Sequence, residues 1–149
     1  IPPNLYGPYD NFDPKSSHLI ASIVRKVIDA KKNNEKELII WGTGKVKREF
    51  LHVDDVGFYI AKLTKKNFNF PPFLNIGSFR DLSVKQYYKK TMEAINLKAK
   101  LIYDLTKPEG MRRKLMNSNL AKQKYSWQPK ISLEKGLIEV IKFYKKNYV

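Results

Sequence analysis

The chain has 149 residues, of which 42% are hydrophobic and 13% aromatic, and 29 Lys and Arg against 14 Asp and Glu give a net charge of +15. These values fit a single folded globular domain with its own core and exclude a disordered chain. No long uncharged apolar run marks a transmembrane helix, and the absence of cysteine excludes a disulfide framework or a thiolate zinc site. The opening Ile1-Pro-Pro-Asn4 has no basic n-region of a signal peptide and no initiator Met, so we expect a cytoplasmic protein whose start is a truncation or processing point. The positive charge is scattered in pairs, among them Lys31-Lys32, Lys65-Lys66, Lys89-Lys90 and Lys145-Lys146, with no nucleic-acid-binding motif beside them. Helix ends and polar helix faces account for such pairs, and no specific nucleic-acid or membrane partner is expected.

In chain order, Asn4-Leu-Tyr-Gly-Pro8 reads as a strand end broken by Gly7-Pro8, followed by a loop through Ser17. A helix from about Ser17 to Lys31 has Ile20, Ile23, Val24 and Val27 on one face, with Ser16 or Ser17 as N-cap and His18 in the first turn. Leu38-Ile-Ile40 reads as a short buried strand, Gly42 and Gly44 as a tight turn, and Phe50, Leu51 and Val53 as a second strand. Asp54 or Asp55 then caps a helix of about Asp55–Lys65 with Val56, Tyr59, Ile60 and Leu63 inward. Phe73–Gly77 reads as a buried strand, and Ser83-Val-Lys-Gln86 as a capping box that opens a helix to about Ile95. A strand over Ala99–Tyr103, a basic loop over Lys107–Lys114, a short helix over Asn117–Lys124 and a last amphipathic helix capped by Ser132 complete the pattern. Helices alternating with short strands give an α/β or α+β domain.

The stretch between Leu38 and Asp55 holds the densest chemistry. A planar aromatic, Trp41, and a guanidinium, Arg48, sit on either side of one glycine turn with Lys45 and Lys47 between them. An aromatic face and a bidentate anion clamp suit a nucleotide diphosphate or a sugar phosphate; a surface hairpin with solvated lysines is the alternative. His52, within the second strand, reads as structural.

Taken together, Asn4-Leu-Tyr-Gly-Pro8, Arg48-Glu-Phe-Leu-His-Val-Asp54, Phe73-Leu-Asn-Ile-Gly77 and Trp127-Gln-Pro-Lys-Ile-Ser-Leu-Glu-Lys-Gly136 resemble the second half of the extended short-chain dehydrogenases/reductases. Within them, Gly7-Pro-Tyr-Asp-Asn-Phe-Asp-Pro-Lys-Ser-Ser-His18, Trp41-Gly-Thr-Gly44 and Glu109-Gly-Met-Arg-Arg-Lys114 are similar to the GDP-L-fucose synthases. The resemblance implies a substrate-binding half of a Rossmann enzyme that epimerises C3 and C5 of GDP-4-keto-6-deoxy-D-mannose and reduces C4 with NADPH. The Gly-rich phosphate loop and catalytic Tyr-x-x-x-Lys of that family belong before Asn4, in an N-terminal NADP-binding half that this chain lacks. Tyr103-Asp-Leu-Thr-Lys107 matches that spacing only as a decoy, and Gly42-Thr-Gly-Lys45 is not a P-loop because position 39 is Ile.

By position in the motifs, His18 corresponds to the acid/base histidine of epimerisation, a step that needs a group titrating near neutrality. Pro2, Pro3, Asn4 and Leu5, with His18, correspond to the nicotinamide-lining segment. Lys26, Trp41, Arg48, Glu109 and Lys114 correspond to the residues that grip the GDP-sugar, although Arg25 lies more directly below His18 on the helix. The family implies a homodimer. Ala21-Ser22, Lys26 and Met111-Arg112 depart from the family's usual residues, which leaves a related GDP-keto-heptose epimerase/reductase or a non-catalytic nucleotide-sugar or nucleic-acid binding fragment as alternatives. Without the cofactor half, the chain by itself is expected to have no reductase turnover.

Overall fold

The structure, a computed structural model, describes residues 1–64 and 69–149. Eleven elements follow in order: β1 (Asn4–Tyr6), α1 (Leu19–Lys32), β2 (Glu37–Trp41), β3 (Lys47–His52), α2 (Val53–Leu63), β4 (Asp81–Ser83), α3 (Val84–Ala94), β5 (Lys100–Asp104), β6 (Arg113–Lys114), α4 (Asn119–Tyr125) and α5 (Leu133–Tyr148). Among the described residues no helix is long and apolar enough to cross a membrane.

β3 is the spine of the larger sheet. β1 pairs parallel with its second half, Asn4 opposite Phe50 and Tyr6 opposite His52. β6 pairs parallel with its first half, Arg48 opposite Lys114, and β4 runs antiparallel to the same half, Arg48 opposite Leu82. β2 and β5 form a separate parallel pair, Ile40 opposite Tyr103 and Trp41 opposite Asp104. The stretch from Leu38 to Asp55 is therefore not a hairpin: its two strands belong to different sheets, and the turn at Gly42 and Gly44, both at φ +67, carries the chain between them. Positive φ at two positions explains why glycine stands at both.

The main core lies between α1, α3 and α5. Ile20, Ile23, Val24 and Val27 of α1 are fully enclosed, and meet Tyr87, Tyr88 and Met92 of α3 and Leu137, Val140, Ile141 and Tyr144 of α5. Each aliphatic side chain so enclosed contributes roughly 1.5–3 kcal/mol. Leu38 and Ile40 join this core, whereas Ile39 between them is 56% exposed, so β2 alternates and is not buried on both faces. A second cluster under α2 gathers Leu51, Val56, Tyr59, Ile76, Ala121 and Trp127, with Leu5 packed against it.

Several local expectations hold. Ser83 and Gln86 close the capping box, Ser132 accepts from the Lys135 N–H at the start of α5, and β5 and α4 form close to their expected places. Others are corrected. The N-cap of α1 is His18, with no side-chain capping bond, because Ser16 is already engaged with Asp13 in the preceding loop. α2 begins at Val53, and its cap is His52, whose Nδ1 accepts from the Asp54 N–H, displacing both aspartates from that role. Asp55 is instead buried, accepting from the main-chain N–H groups of Lys130 and Ile131. Ile60 is 54% exposed, and the end expected at Lys65 lies outside the described residues. Residues 73–77 are not a strand: Phe73 is 71% exposed, and among the described residues the segment's main-chain-to-main-chain bonds go to Ile1, through Leu74 and Ile76. β4, and β6 within the basic loop, were not expected.

One buried carboxylate joins these pieces. Glu49, 1% exposed on β3, accepts at Oε1 from the N–H of Ser78 (2.6 Å), the N–H of Phe79 (3.1 Å) and the Ser78 hydroxyl (3.1 Å), and at Oε2 from the N–H of Met116 (2.8 Å). A Cβ at Gly77 would stand 2.5 Å from Oε1, which fixes glycine there. Glu49→Ala strands these donors away from water, and urea denaturation should show a loss of at least about 3 kcal/mol; Glu49→Gln, which turns an amide N–H₂ toward N–H donors, should lose about 2 kcal/mol. A loss below about 1 kcal/mol in both would mean that Glu49 does not anchor these loops.

Candidate active site

A cavity of about 440 Å3 opens between α1, the ends of β2 and β3, α3 and the segment after β5. Alternation along β3 places Arg48 and Phe50 on this side and Glu49 on the other. Helical spacing along α1 puts His18, Ser22, Arg25 and Lys26 along one wall.

Of the residues singled out from the sequence, His18, Asn4, Lys26, Trp41, Arg48 and Glu109 line this one cavity. Pro2, Pro3, Leu5 and Lys114 do not. Leu5 packs into the second core cluster, and Lys114 is exposed on β6 beside Arg48 in the sheet register. Asn4 reaches the cavity from β1, held by its Nδ2 donating to the Glu49 carbonyl at 3.0 Å. His18 is exposed; its main-chain carbonyl accepts from the Ser22 N–H at the start of α1, and its ring makes no hydrogen bond among the described residues.

At the other end stands Trp41, 60% exposed, with the ammonium groups of Lys26 and Lys107 at 5.7 and 5.6 Å from its ring centroid. Burial, and then the neighbouring Arg25, pull the Lys26 ammonium below the ordinary lysine range. Arg48 is fixed from behind: its Nη1 donates to the carbonyls of Lys47 and Met111, both at 2.7 Å, and the Tyr87 hydroxyl donates to its own carbonyl at 2.8 Å. Glu109 crosses the mouth and accepts from the hydroxyl (2.6 Å) and the N–H of Thr43; these bonds, the hydroxyl first, hold its carboxyl below the usual carboxylate range. A Cβ at Gly42 would sit 2.2 Å from the Glu109 Cγ, so the glycine turn and this carboxylate fit as a unit.

The arrangement offers a flat aromatic and cations at one end, and a free imidazole at the other. It suits a ligand that is planar at one end, anionic in the middle and reactive toward proton transfer at its far end. Sequence reading missed Ser22 and Tyr88 as wall residues; the i, i+4 spacing from His18 would have found Ser22, whereas Tyr88 comes from α3 by tertiary packing alone. His52 is structural, as expected: it is buried, its Nδ1 accepts from the Asp54 N–H, and its Nε2 lies 3.5 Å from Glu139 Oε2. A second cavity of about 290 Å3, beside Tyr6, His52 and Arg80, contains none of the residues expected to bind cofactor or substrate.

The probable GDP-L-fucose synthase 1 of Oryza sativa subsp. japonica is 38% identical over 149 residues, all of this chain and 45% of that protein. The GDP-L-colitose synthase of Yersinia pseudotuberculosis is 34% identical over 144 residues, 97% of this chain and 46% of that protein. The chain thus spans about half the length of the curated relatives it matches. Among solved structures, a GDP-L-fucose synthetase from Naegleria fowleri bound to NADP superposes with a TM-score of 0.86 at 24% identity, over 99% of this chain and 46% of that one, which shows the shared fold. The family model for the NAD dependent epimerase/dehydratase family matches residues 1–77, just over half of the chain. The chain belongs to the NAD dependent epimerase/dehydratase family.

Proposed function

We propose that this chain is the substrate-binding part of a nucleotide-sugar epimerase/reductase that converts GDP-4-keto-6-deoxy-D-mannose to GDP-L-fucose, working with an N-terminal NADP-binding half. The observation that carries this reading is the joint placement of His18 and the Trp41, Lys26 and Arg48 group in one cavity. From His18 to Lys26 the helix advances eight residues, about 12 Å. That distance matches a sugar ring at His18 joined through a diphosphate to a base at Trp41. The similarity to relatives named GDP-L-fucose synthase and GDP-L-colitose synthase supports the same class of ligand.

On this reading the guanine stacks on Trp41, and Glu109 exchanges its Thr43 bonds for the base's N–H groups. Arg48 makes charge-assisted bonds to the diphosphate while its carbonyl contacts keep it in place. His18 gives and takes protons at C3 and C5, which the C4 ketone acidifies. Of the residues assigned to the cofactor, Asn4 and His18 line the cavity and fit a nicotinamide edge, while Pro2, Pro3 and Leu5 do not line it. NADPH, held mainly by the other half, supplies the hydride for reduction at C4. The complete enzyme is a cytoplasmic homodimer on this view.

The 149-residue chain alone should therefore not oxidise NADPH with the keto-sugar; turnover by the purified chain would contradict the assignment. In the complete enzyme, Arg48→Ala should weaken GDP-sugar binding by about ten- to a hundred-fold, read by calorimetry. Unchanged affinity would assign Arg48 to structure. His18→Asn should slow solvent-deuterium incorporation at C3 or C5 by on the order of a hundred-fold, while hydride transfer to an already epimerised keto-sugar changes much less. Wild-type exchange in that variant would remove His18 from catalysis.

A further inference from the structure

Arg25 is a partly buried cation in the cavity wall with an unpaired nitrogen among the described residues. Seven residues beyond His18, it returns to within about 20° of the same helix line, while Lys26 stands about 80° away. Both side chains line the cavity, but they differ in their surroundings. Lys26 lies over Trp41. The Arg25 side chain is 19% exposed, and its single ion pair, to Asp29 one turn along α1, is loose at 3.8 Å. Its Nε is buried without a hydrogen-bond partner among the described residues.

A guanidinium carries five N–H donors, and here Nε is buried unpaired while Nη1 has only the long contact to Asp29. The groups around it are donors too. Ser22 is one turn back on the same wall, Arg48 comes from β3, and Tyr88 from α3 has a phenol that burial pushes up to about 12, so it stays a neutral hydroxyl. Two guanidinium groups and two hydroxyls around one cavity suit an anion with several oxygens.

We propose that Arg25 is a diphosphate-binding residue of this cavity, placed between His18 and Lys26 and gripping the phosphate on the sugar side of the nucleotide. Its planar fork takes two oxygens at once, which Lys26 as a point charge cannot do. Asp29, 43% exposed, returns to solvent when the anion takes its place. The inference rests on the nucleotide-sugar reading above and adds a contact to it.

The test is calorimetric titration of the protein, and of Arg25→Gln and Arg25→Lys, with GDP and with guanosine. Arg25→Gln should weaken GDP by about ten-fold or more and leave guanosine unchanged; Arg25→Lys should show a smaller loss, again for GDP only. If the wild-type protein does not bind GDP, the nucleotide-sugar reading fails and this inference with it. If it binds GDP and Arg25→Gln binds equally well, only the assignment of Arg25 fails. Equal losses for GDP and guanosine would make Arg25 a structural residue and overturn the proposal. Should Arg25→Gln lack a cooperative thermal transition, Arg25→Lys decides: a GDP-selective loss supports the assignment, and unchanged GDP affinity overturns it.

Discussion

The buried carboxylate of Glu49 is the constraint on which the rest of the molecule depends. An ionisable group 1% exposed is costly unless its oxygens are matched, and here Ser78, Phe79 and Met116 supply the donors from two segments distant in sequence. Neither segment is a regular strand or helix, so neither could hold its place through its own ladder. Binding them to one side chain also presents the Gly77 carbonyl to the Trp127 indole N–H at 2.7 Å, which seats the largest side chain of the second core. The same strand's next residue toward the N-terminus is Arg48, on the opposite face. Strand alternation thus sets the structural anchor and a principal cavity cation back to back.

What could be read from the sequence was what local chemistry decides. The stripe of Ile20, Ile23, Val24 and Val27, the capping box at Ser83, the cap at Ser132 and the two glycines at positive φ each follow from a handful of neighbouring residues. What escaped was decided by distant partners. Leu38-Ile-Ile40 and Phe50-Leu51 look like the arms of a hairpin until β5 and β1 claim them for separate sheets. His52 caps α2 because its imidazole is folded back within reach of the Asp54 N–H. The cavity residues were legible chiefly through motif resemblance; spacing alone places His18 and Arg25 on one helix line but cannot bring Trp41 and Glu109 to them.

The excess of positive charge divides into distinct roles. Lys31 and Lys32 sit in the last turn of α1, and Lys145 and Lys146 in that of α5, where cations complement the helix dipole. Lys31 also donates to the Ile95 carbonyl and so ties the ends of α1 and α3 together. Only a small part of the charge faces the cavity, through Lys15, Arg25, Lys26 and Arg48 on its walls and Lys107 at the Trp41 ring. The net charge is therefore a poor guide to what the cavity attracts.

The two carbonyl contacts behind Arg48 have a consequence for the entropy of recognition. A free arginine side chain loses up to about 2 kcal/mol of rotamer freedom when a ligand immobilises it. Here Nη1 is already held by the Lys47 and Met111 carbonyls, and the strand beneath is fastened by Glu49. Much of the ordering cost at this position is met by folding, and the guanidinium is preorganised before any anion arrives. Trp41, 60% exposed, and Lys107, also exposed, have no such carbonyl anchors among the described residues, so the cavity joins a fixed cation to an open aromatic rim.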